Sequence, residues 1–493
     1  MLNIIISFIS GILLSLAFSG ANLHWLAWFA LAPIMYYIYR LSWKQSLLSG
    51  LAFGIGFFAC LIYWVAIFGK LPWIVLSIYE ALFIVVFVGI AKLTGSKLSG
   101  WGRFILLPAL WVALEWVRTL GFLGLAWGDL CYTQYKVPPV IQIAGITGAW
   151  GISFILAMSN SALANLAAAR KDARELKSAH LQVLVTGLTI LAVVLFGLVS
   201  LRNPITQDGH KIRAAVIQGN VKQDTDEYVE YMENTWRTYH IMTEDAGKKN
   251  ADLIIWPETV VPGCVGRDKY AQNRLSDLAA SVGAHLLVGG WDEINGKALN
   301  SAFLIGPNRG VLGRYSKVHL VPFGELVPMR KYLPFLQYYR ARPTDTSPGP
   351  GYNVINSGLC TIGTGICFES TFPYISRKLT ASGAELLCII TDDEWFGRTS
   401  AAEQHMSKSV LRAVENRRYL LRGAATGISC IIDPRGRILA EAGLFRPAIL
   451  RADVQTISQK TFYTRHGDWL IYASLVLVFL MAIVNTYRKG RAK

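Results

Sequence analysis

Leu253-Ile254-Ile255-Trp256-Pro257-Glu258 reads as a short buried strand that stops at a proline and leaves a carboxylate just beyond its end. Working outward, Lys211 to Asn220 is a strand running into a Gly-Asn turn, and a helical stretch follows at 226–248. A second helix at about 268–282 leads into a strand over 284–291, with further strands near 298–306 and 310–315. Strands over 361–367 and 385–391, a helix over 401–421 and a last strand pair at 427–433 and 437–442 complete the series. Strands alternating with helices and then pairing as meanders predict an α/β sandwich whose functional groups stand at strand ends.

Two more reactive groups sit at comparable places. Lys317 lies in Tyr315-Ser316-Lys317-Val318-His319-Leu320, and Cys367 ends the 361–367 strand in Cys367-Phe368-Glu369. A carboxylate, an ammonium and a thiol together supply a base, an oxyanion stabiliser and a nucleophile. A thiol near pKa 8.5 is mostly protonated at neutral pH, so a base or a cation beside it is required before it attacks a carbonyl. Geometry rather than spacing defines such a site, and each residue taken singly also fits an inert role. The seven cysteines are odd in number and include no CxxC, which argues against a disulfide framework or a zinc site. Cys388, inside Leu386 to Ile390, reads as core filling. His285, His319 and His405 are scattered without metal-ligand spacing, and His319 reads as a structural histidine. No metal and no cofactor is expected.

The enzyme-like segment is embedded in a membrane protein. Of 493 residues 53% are hydrophobic and only 16% charged, well below the roughly 25% usual in globular domains. Spanning stretches are predicted near 3–19, 23–40, 46–68, 71–94, 102–119, 140–168, 181–201 and 469–487. This divides the chain into a seven-helix segment (1–204), an enzyme domain (205–462), and an eighth helix with a basic tail (463–493). Basic clusters at Arg40 and Lys44, at Lys92, Lys97 and Arg103, at Arg170 to Lys177, and at Arg488 to Lys493 fall on alternate loops. The positive-inside rule then places the enzyme domain outside the cytoplasm. The net charge of +16 is scattered, with no basic stripe, so nucleic acid is not expected as a partner and anionic head groups are. Glu115 and Arg118 near the end of span five, with Asp129 beyond, read either as a functional group or as an interfacial pair beside Trp116.

Residues 211–445 resemble the nitrilase superfamily, whose Glu–Lys–Cys triad matches Glu258, Lys317 and Cys367. The chain as a whole resembles the apolipoprotein N-acyltransferases of bacterial inner membranes, the membrane-embedded branch of that superfamily. Gln218-Gly219-Asn220, Asn300-Ser301, Pro322-Phe323-Gly324-Glu325, Trp395-Phe396-Gly397, Gln404-His405 and Gly427-Ile428-Ser429 match as well. So do Glu115-Trp116, Trp127-Gly128 and Gly151-Ile152-Ser153 in the membrane part. The resemblance implies an α-β-β-α sandwich and a ping-pong acyl transfer. Cys367 would take an acyl chain from a phospholipid, typically phosphatidylethanolamine, as a thioester. The amine of a diacylglyceryl-cysteine apolipoprotein would then accept it, with the protein working as a monomer. Glu325 and Glu369 match two further carboxylates of the family; Glu325 is expected to orient Lys317, and Glu369 to shape the pocket around the thiolate. The chain departs from the pattern at Asp392-Asp393-Glu394, where Asn-Asp-Ala is common, and at Ala126, Ala425 and Glu227 or Tyr228.

Residues 326–343 interleave apolar and basic side chains and suit an arm at a lipid interface, and 342–351 reads as its hinge. Two rival readings stand beside acyl transfer: a membrane-tethered amidase acting on a small amide, and a silent scaffold in which Cys367 is unreactive. Eight spans count against the amidase, which one anchor would serve.

Overall fold

The computed structural model describes residues 1–169, 172–204, 209–221, 228–308, 310–327, 332 and 345–490, and at 228, 489 and 490 the backbone only. Twelve strands are present among them. They are β1 (Lys211–Gln218), β2 (Leu253–Ile255), β3 (His285–Ile294), β4 (Lys297–Gly306), β5 (Gly310–Ser316), β6 (Ile355–Asn356), β7 (Thr361–Ile366), β8 (Leu386–Thr391), β9 (Leu420–Ala424), β10 (Ser429–Ile432), β11 (Ile438–Ala442) and β12 (Ala448–Gln455). They form two six-stranded sheets, ordered β12-β1-β2-β3-β4-β5 and β11-β10-β9-β8-β7-β6.

Alternation along the strands builds the layers. Ala214, Val216, Leu253, Ile255 and Leu304 share one buried cluster with Ile362, Cys388, Ile390 and Leu421 of the other sheet. The intervening Ala215, Ile217, Ile254 and Leu286 pack instead against Trp236, Tyr239, Leu275 and Leu278, on helices Tyr228–Lys248 and Lys269–Val282. Helices Pro373–Ala381 and Ala401–Asn416 cover the second sheet through Ile375, Leu379, Leu411 and Val414. This is the α-β-β-α sandwich that the resemblance implied.

Four parts of it differ from the sequence reading. The helix expected to reach 421 stops at Asn416, where Arg417 turns left-handed (φ +49°), and Leu420–Ala424 is instead the inner strand β9. No glycine marks that stop, and Leu420-Leu421 prolongs the apolar pattern into a strand buried on both faces. The helix Pro373–Ala381 and strands β6 and β12 were not foreseen. Strand β12 pairs antiparallel along all of β1, from Lys211↔Gln455 to Gln218↔Ala448.

Each predicted span contains helix, at Leu2–Ser15, Ala32–Arg40, Trp43–Leu61, Lys70–Gly95, Gly100–Arg118, Trp150–Ala168, Ala173–Arg202 and Trp469–Gly490. Among the described residues, five helices are long and apolar enough to cross a membrane. The stretch expected to span at 23–40 is broken: His24–Trp28 is a 3₁₀ turn, and a regular helix resumes at Ala32 with Pro33 in its first turn. Backbone groups freed by such a break need partners where water is scarce. Asn160 supplies them, accepting from Leu31 N at 2.7 Å and donating to Ala27 O at 2.9 Å. Lys92 is likewise turned inward and donates to the carbonyls of Ile38 and Leu41, each at 2.6 Å.

Glu115 and Arg118 are not an interfacial pair. Both are buried, and Arg118 binds Glu80 at 2.7 Å and Asp129 at 3.4 Å. Glu115 instead accepts from Trp111 Nε1 at 2.7 Å and Leu130 N at 2.8 Å. Removing one partner of a buried ion network strands the others, at about 3–5 kcal/mol. Arg118→Gln is therefore expected to lower the melting temperature of the detergent-solubilised protein markedly. Adding Glu80→Gln should recover part of that loss.

Candidate active site

Strand β2 ends as the sequence indicated, and Trp256 N donates to Leu287 O at 2.8 Å before Pro257 breaks the ladder. Glu258 therefore projects beyond the sheet and is buried. Its Oε2 accepts from Asp392 N at 2.8 Å, just past the end of β8 in the other sheet. Its Oε1 accepts from Asn300 Nδ2 at 2.6 Å and faces Lys317 Nζ at 3.4 Å. Behind it, Gly289 on β3 leaves no room for a side chain: a Cβ there would stand 2.3 Å from Pro257 O and 2.7 Å from Glu258 Cα. Gly289→Ala is accordingly expected to push Glu258 out of place and to slow turnover about 10²-fold, the usual result of displacing a reacting group by about 1 Å. Steady-state assays on the folded variant check this.

Lys317, one residue beyond β5, is fully buried, and Glu325 lies 2.9 Å from its ammonium. Burial alone would pull the Lys317 pKa down, but Glu325, then Glu258, then Cys367 hold it above the ordinary lysine value. Burial opposes ionisation of Glu325 too. The Lys317 charge, the Val321 amide and Asn300 outweigh it and hold that carboxyl below its usual range.

Cys367 follows β7 in the left-handed region, at φ +53°. A non-glycine residue held there costs on the order of 1–2 kcal/mol, so its surroundings must over-determine it. Burial and the Glu258 charge push its thiol well above the usual value, against the pull of Lys317 and a hydrogen bond from Thr391. The resting thiol is therefore protonated, and attack needs a base at hand. Alkylation by a small electrophile is expected to rise about tenfold per pH unit through neutrality, with no plateau below pH 9. Glu258→Gln removes a repelling charge and should quicken that alkylation while slowing general-base chemistry by about 10²–10⁴-fold. A plateau near pH 6, as a preformed thiolate gives, would contradict the assignment.

Glu369, two residues beyond Cys367, is fully buried. Its carboxylate accepts from Ile366 N, Val318 N, His319 N and Tyr315 Oη at 2.8–3.1 Å, tying the end of β7 to the segment that carries Lys317. Burial raises its pKa despite those amides. His319 holds Tyr374 Oη at 3.1 Å through Nδ1, and among the described residues its buried Nε2 has no hydrogen-bond partner.

Other groups at the site carried no role in the sequence reading. Asn300 bridges Glu258 and Glu325, donating to both. Asp392 lines a small cavity with Glu258, Glu394, Tyr231 and Tyr239, and burial followed by the Glu258 charge pushes its carboxyl up to about 7. Asp393, His405 and Arg422 form a buried cluster beneath Cys367. His405 lay in the Gln404-His405 match and Asp393 in the departing Asp392-Asp393-Glu394, while Arg422 belonged to no motif; only folding shows what they touch. The arm at 326–343 lies largely outside the described residues, with Tyr332 exposed; of its expected hinge, 345–351 is described, and Thr346 N donates to Glu325 O and Gly349 N to Lys317 O, each at 2.7 Å.

The site stands directly on the membrane segment. Gln404 Oε1, on helix Ala401–Asn416, accepts from Trp127 Nε1 at 2.7 Å and Trp64 Nε1 at 3.2 Å. Lys408 Nζ lies 4.3 Å from the ring centroids of both Trp127 and Tyr132, and Arg412 donates to Tyr132 Oη at 3.2 Å.

Comparison with known proteins agrees in both halves. Residues 213–460 match the family described as Carbon-nitrogen hydrolase, and residues 10–162 match the Apolipoprotein N-acyltransferase N-terminal domain. The apolipoprotein N-acyltransferase of Geobacter metallireducens is 36% identical, over 98% of this chain and 95% of its own. The chain belongs to the apolipoprotein N-acyltransferase family. Apolipoprotein N-acyltransferase 1 of Treponema denticola (29% identical) and the Haemophilus ducreyi enzyme (28%) each cover 99% of the chain and have 97% of their own length matched. Among solved structures, Saccharomyces cerevisiae Nit3, of branch 10 of the nitrilase superfamily, aligns at 20% identity and TM-score 0.40 over 51% of this chain and 92% of its own. Family membership and the long apolar helices make this a membrane-bound protein.

Proposed function

We propose that the protein N-acylates apolipoproteins, with Cys367 as nucleophile, Glu258 as general base and Lys317 as oxyanion stabiliser. Cys367 Sγ attacks an ester carbonyl of a phospholipid while Glu258 takes the thiol proton. The oxyanion forms beside Lys317. Collapse expels the lysophospholipid alkoxide, which regains the proton from Glu258 and leaves a thioester. The α-amine of a diacylglyceryl-cysteine then attacks that thioester and gives its proton to Glu258. Cys367 leaves as thiolate and is reprotonated, and the product is an amide. Glu325 keeps Lys317 oriented, and Glu369 fixes the two segments that carry Lys317 and Cys367.

The observation that carries this reading is the seating of helix Ala401–Asn416 on Trp64, Trp127 and Tyr132. That contact supports a thiol working close to the lipid, where both proposed substrates reside, and a hydrolase of small soluble amides has no need of it. We place the protein in the bacterial inner membrane, with residues 205–462 as a periplasmic catalytic domain between a helical segment at 1–204 and a last helix at 463–493. The basic loops support that orientation. Phosphatidylethanolamine is the proposed donor and the monomer the proposed working form. The test is reconstitution in phosphatidylethanolamine vesicles with a diacylglyceryl-cysteine peptide. N-acylated peptide is the expected product; hydrolysis of small amides without peptide acylation would replace this reading with the amidase.

A further inference from the structure

The role of His405 rests on Cys367 being the nucleophile of the proposed acyl transfer. The left-handed backbone of Cys367 has to be held in place by its neighbours, and the reacting triad does not do so. Two side chains converge on its carbonyl oxygen and touch each other. His405 Nε2 lies 3.1 Å from Cys367 O, Ser370 Oγ donates to that oxygen at 2.9 Å, and His405 and Ser370 meet at 2.8 Å. A carbonyl only accepts, so the His405 contact is a hydrogen bond with the hydrogen on Nε2, and Nδ1 of the neutral ring then accepts from Arg422, which carries Asp393 on its other side.

The imidazole itself is pinned. Its Nδ1 faces Asp393 Oδ1 at 2.9 Å and Arg422 Nη2 at 3.0 Å, and Arg422 also binds Asp393 Oδ2 at 2.9 Å. All three side chains are buried. The ring lies against Trp127 of the membrane segment, tilted by 34° with centroids 6.0 Å apart, and meets Phe396 edge-on at 6.3 Å. With Nε2 and Nδ1 both engaged, His405 has no free nitrogen to exchange a proton with a substrate, so it is not a second base.

We propose that His405, locked by Asp393 and Arg422 and seated on Trp127, is a positioning residue that holds the Cys367 turn through its carbonyl oxygen. The membrane segment thereby takes part in aiming the nucleophile. Acyl transfer needs an aimed sulfur, whereas alkylation by a small soluble electrophile does not.

The experiment compares full-length wild type, His405→Ala, His405→Gln and Asp393→Asn in phosphatidylethanolamine vesicles. Acyl-enzyme formation is followed by mass, iodoacetamide alkylation by label, and KM for the acceptor peptide by titration. In His405→Ala, acylation is expected to fall about 10²-fold, with alkylation and KM within about threefold of wild type. His405→Gln, whose amide N–H reaches the Nε2 position, is expected to recover most of the rate. A merely structural role would lower the folded fraction without this split and without rescue. Acylation at the wild-type rate in folded His405→Ala, or no recovery in His405→Gln, overturns the proposal. If His405→Ala does not fold, Asp393→Asn decides: about tenfold slower acylation supports it, and an unchanged rate overturns it. Absence of any acyl-enzyme in the wild type counts instead against Cys367 as nucleophile.

Discussion

Cys367→Ala and Cys367→Gly are both expected to abolish acyl transfer, on the order of 10⁶-fold as for other nucleophile deletions, yet to differ in stability. Alanine keeps a Cβ at φ +53° and retains the backbone cost, so its melting temperature should stay close to wild type. Glycine relieves that cost and should melt higher, by an amount corresponding to about 1 kcal/mol. A site that gains stability on losing its reactive group is one whose strain serves function. Equal melting temperatures for the two variants, with activity lost in both, would show that the turn is not strained.

Lys317→Met is expected to give the second largest effect, on activity and stability together. The ammonium lies between the buried carboxylates of Glu258 and Glu325, at 3.4 and 2.9 Å. Without it, two like charges face each other across Asn300, at a cost of about 3–5 kcal/mol. The pair would relieve itself by binding a proton, so its folded pKa would rise above the unfolded value. Stability contributed by that proton is present at low pH and lost as pH rises through the raised pKa. The variant should therefore be nearer wild type at pH 5 than at pH 8. Adding Glu325→Gln should restore much of the stability. Transfer should remain at least about 10³-fold down in both variants, because the oxyanion has lost its cation. Recovery of activity in the double variant would mean that Lys317 balances charge and nothing more.

The layered fold was readable because its inner strands are short apolar runs set between helices and stop at strong signals, such as Pro257 after β2. The parts that escaped lacked local signals. Strand β9 continues the apolar run of the preceding helix without a glycine at the break, and β12 is recognisable only through its pairing with β1. In the membrane segment, hydropathy marks where apolar chain lies but not where it remains helical. The turn at His24–Trp28 is tolerated because Asn160, more than a hundred residues away, repairs it. The reactive groups Glu258, Lys317 and Cys367 drew notice because each follows a strand and each has chemistry of its own. Asn300, Asp393, His405 and Arg422 have their meaning only in what they touch, and three-dimensional proximity is not written in spacing.

The most direct measurement is the intact mass of the purified protein after incubation with phosphatidylethanolamine and no acceptor. The expected result is a gain of one acyl chain that is removed by hydroxylamine, absent in Cys367→Ala, and discharged when a diacylglyceryl-cysteine peptide is added. A folded wild-type protein that gains no acyl chain, or whose adduct persists in Cys367→Ala, would contradict the account.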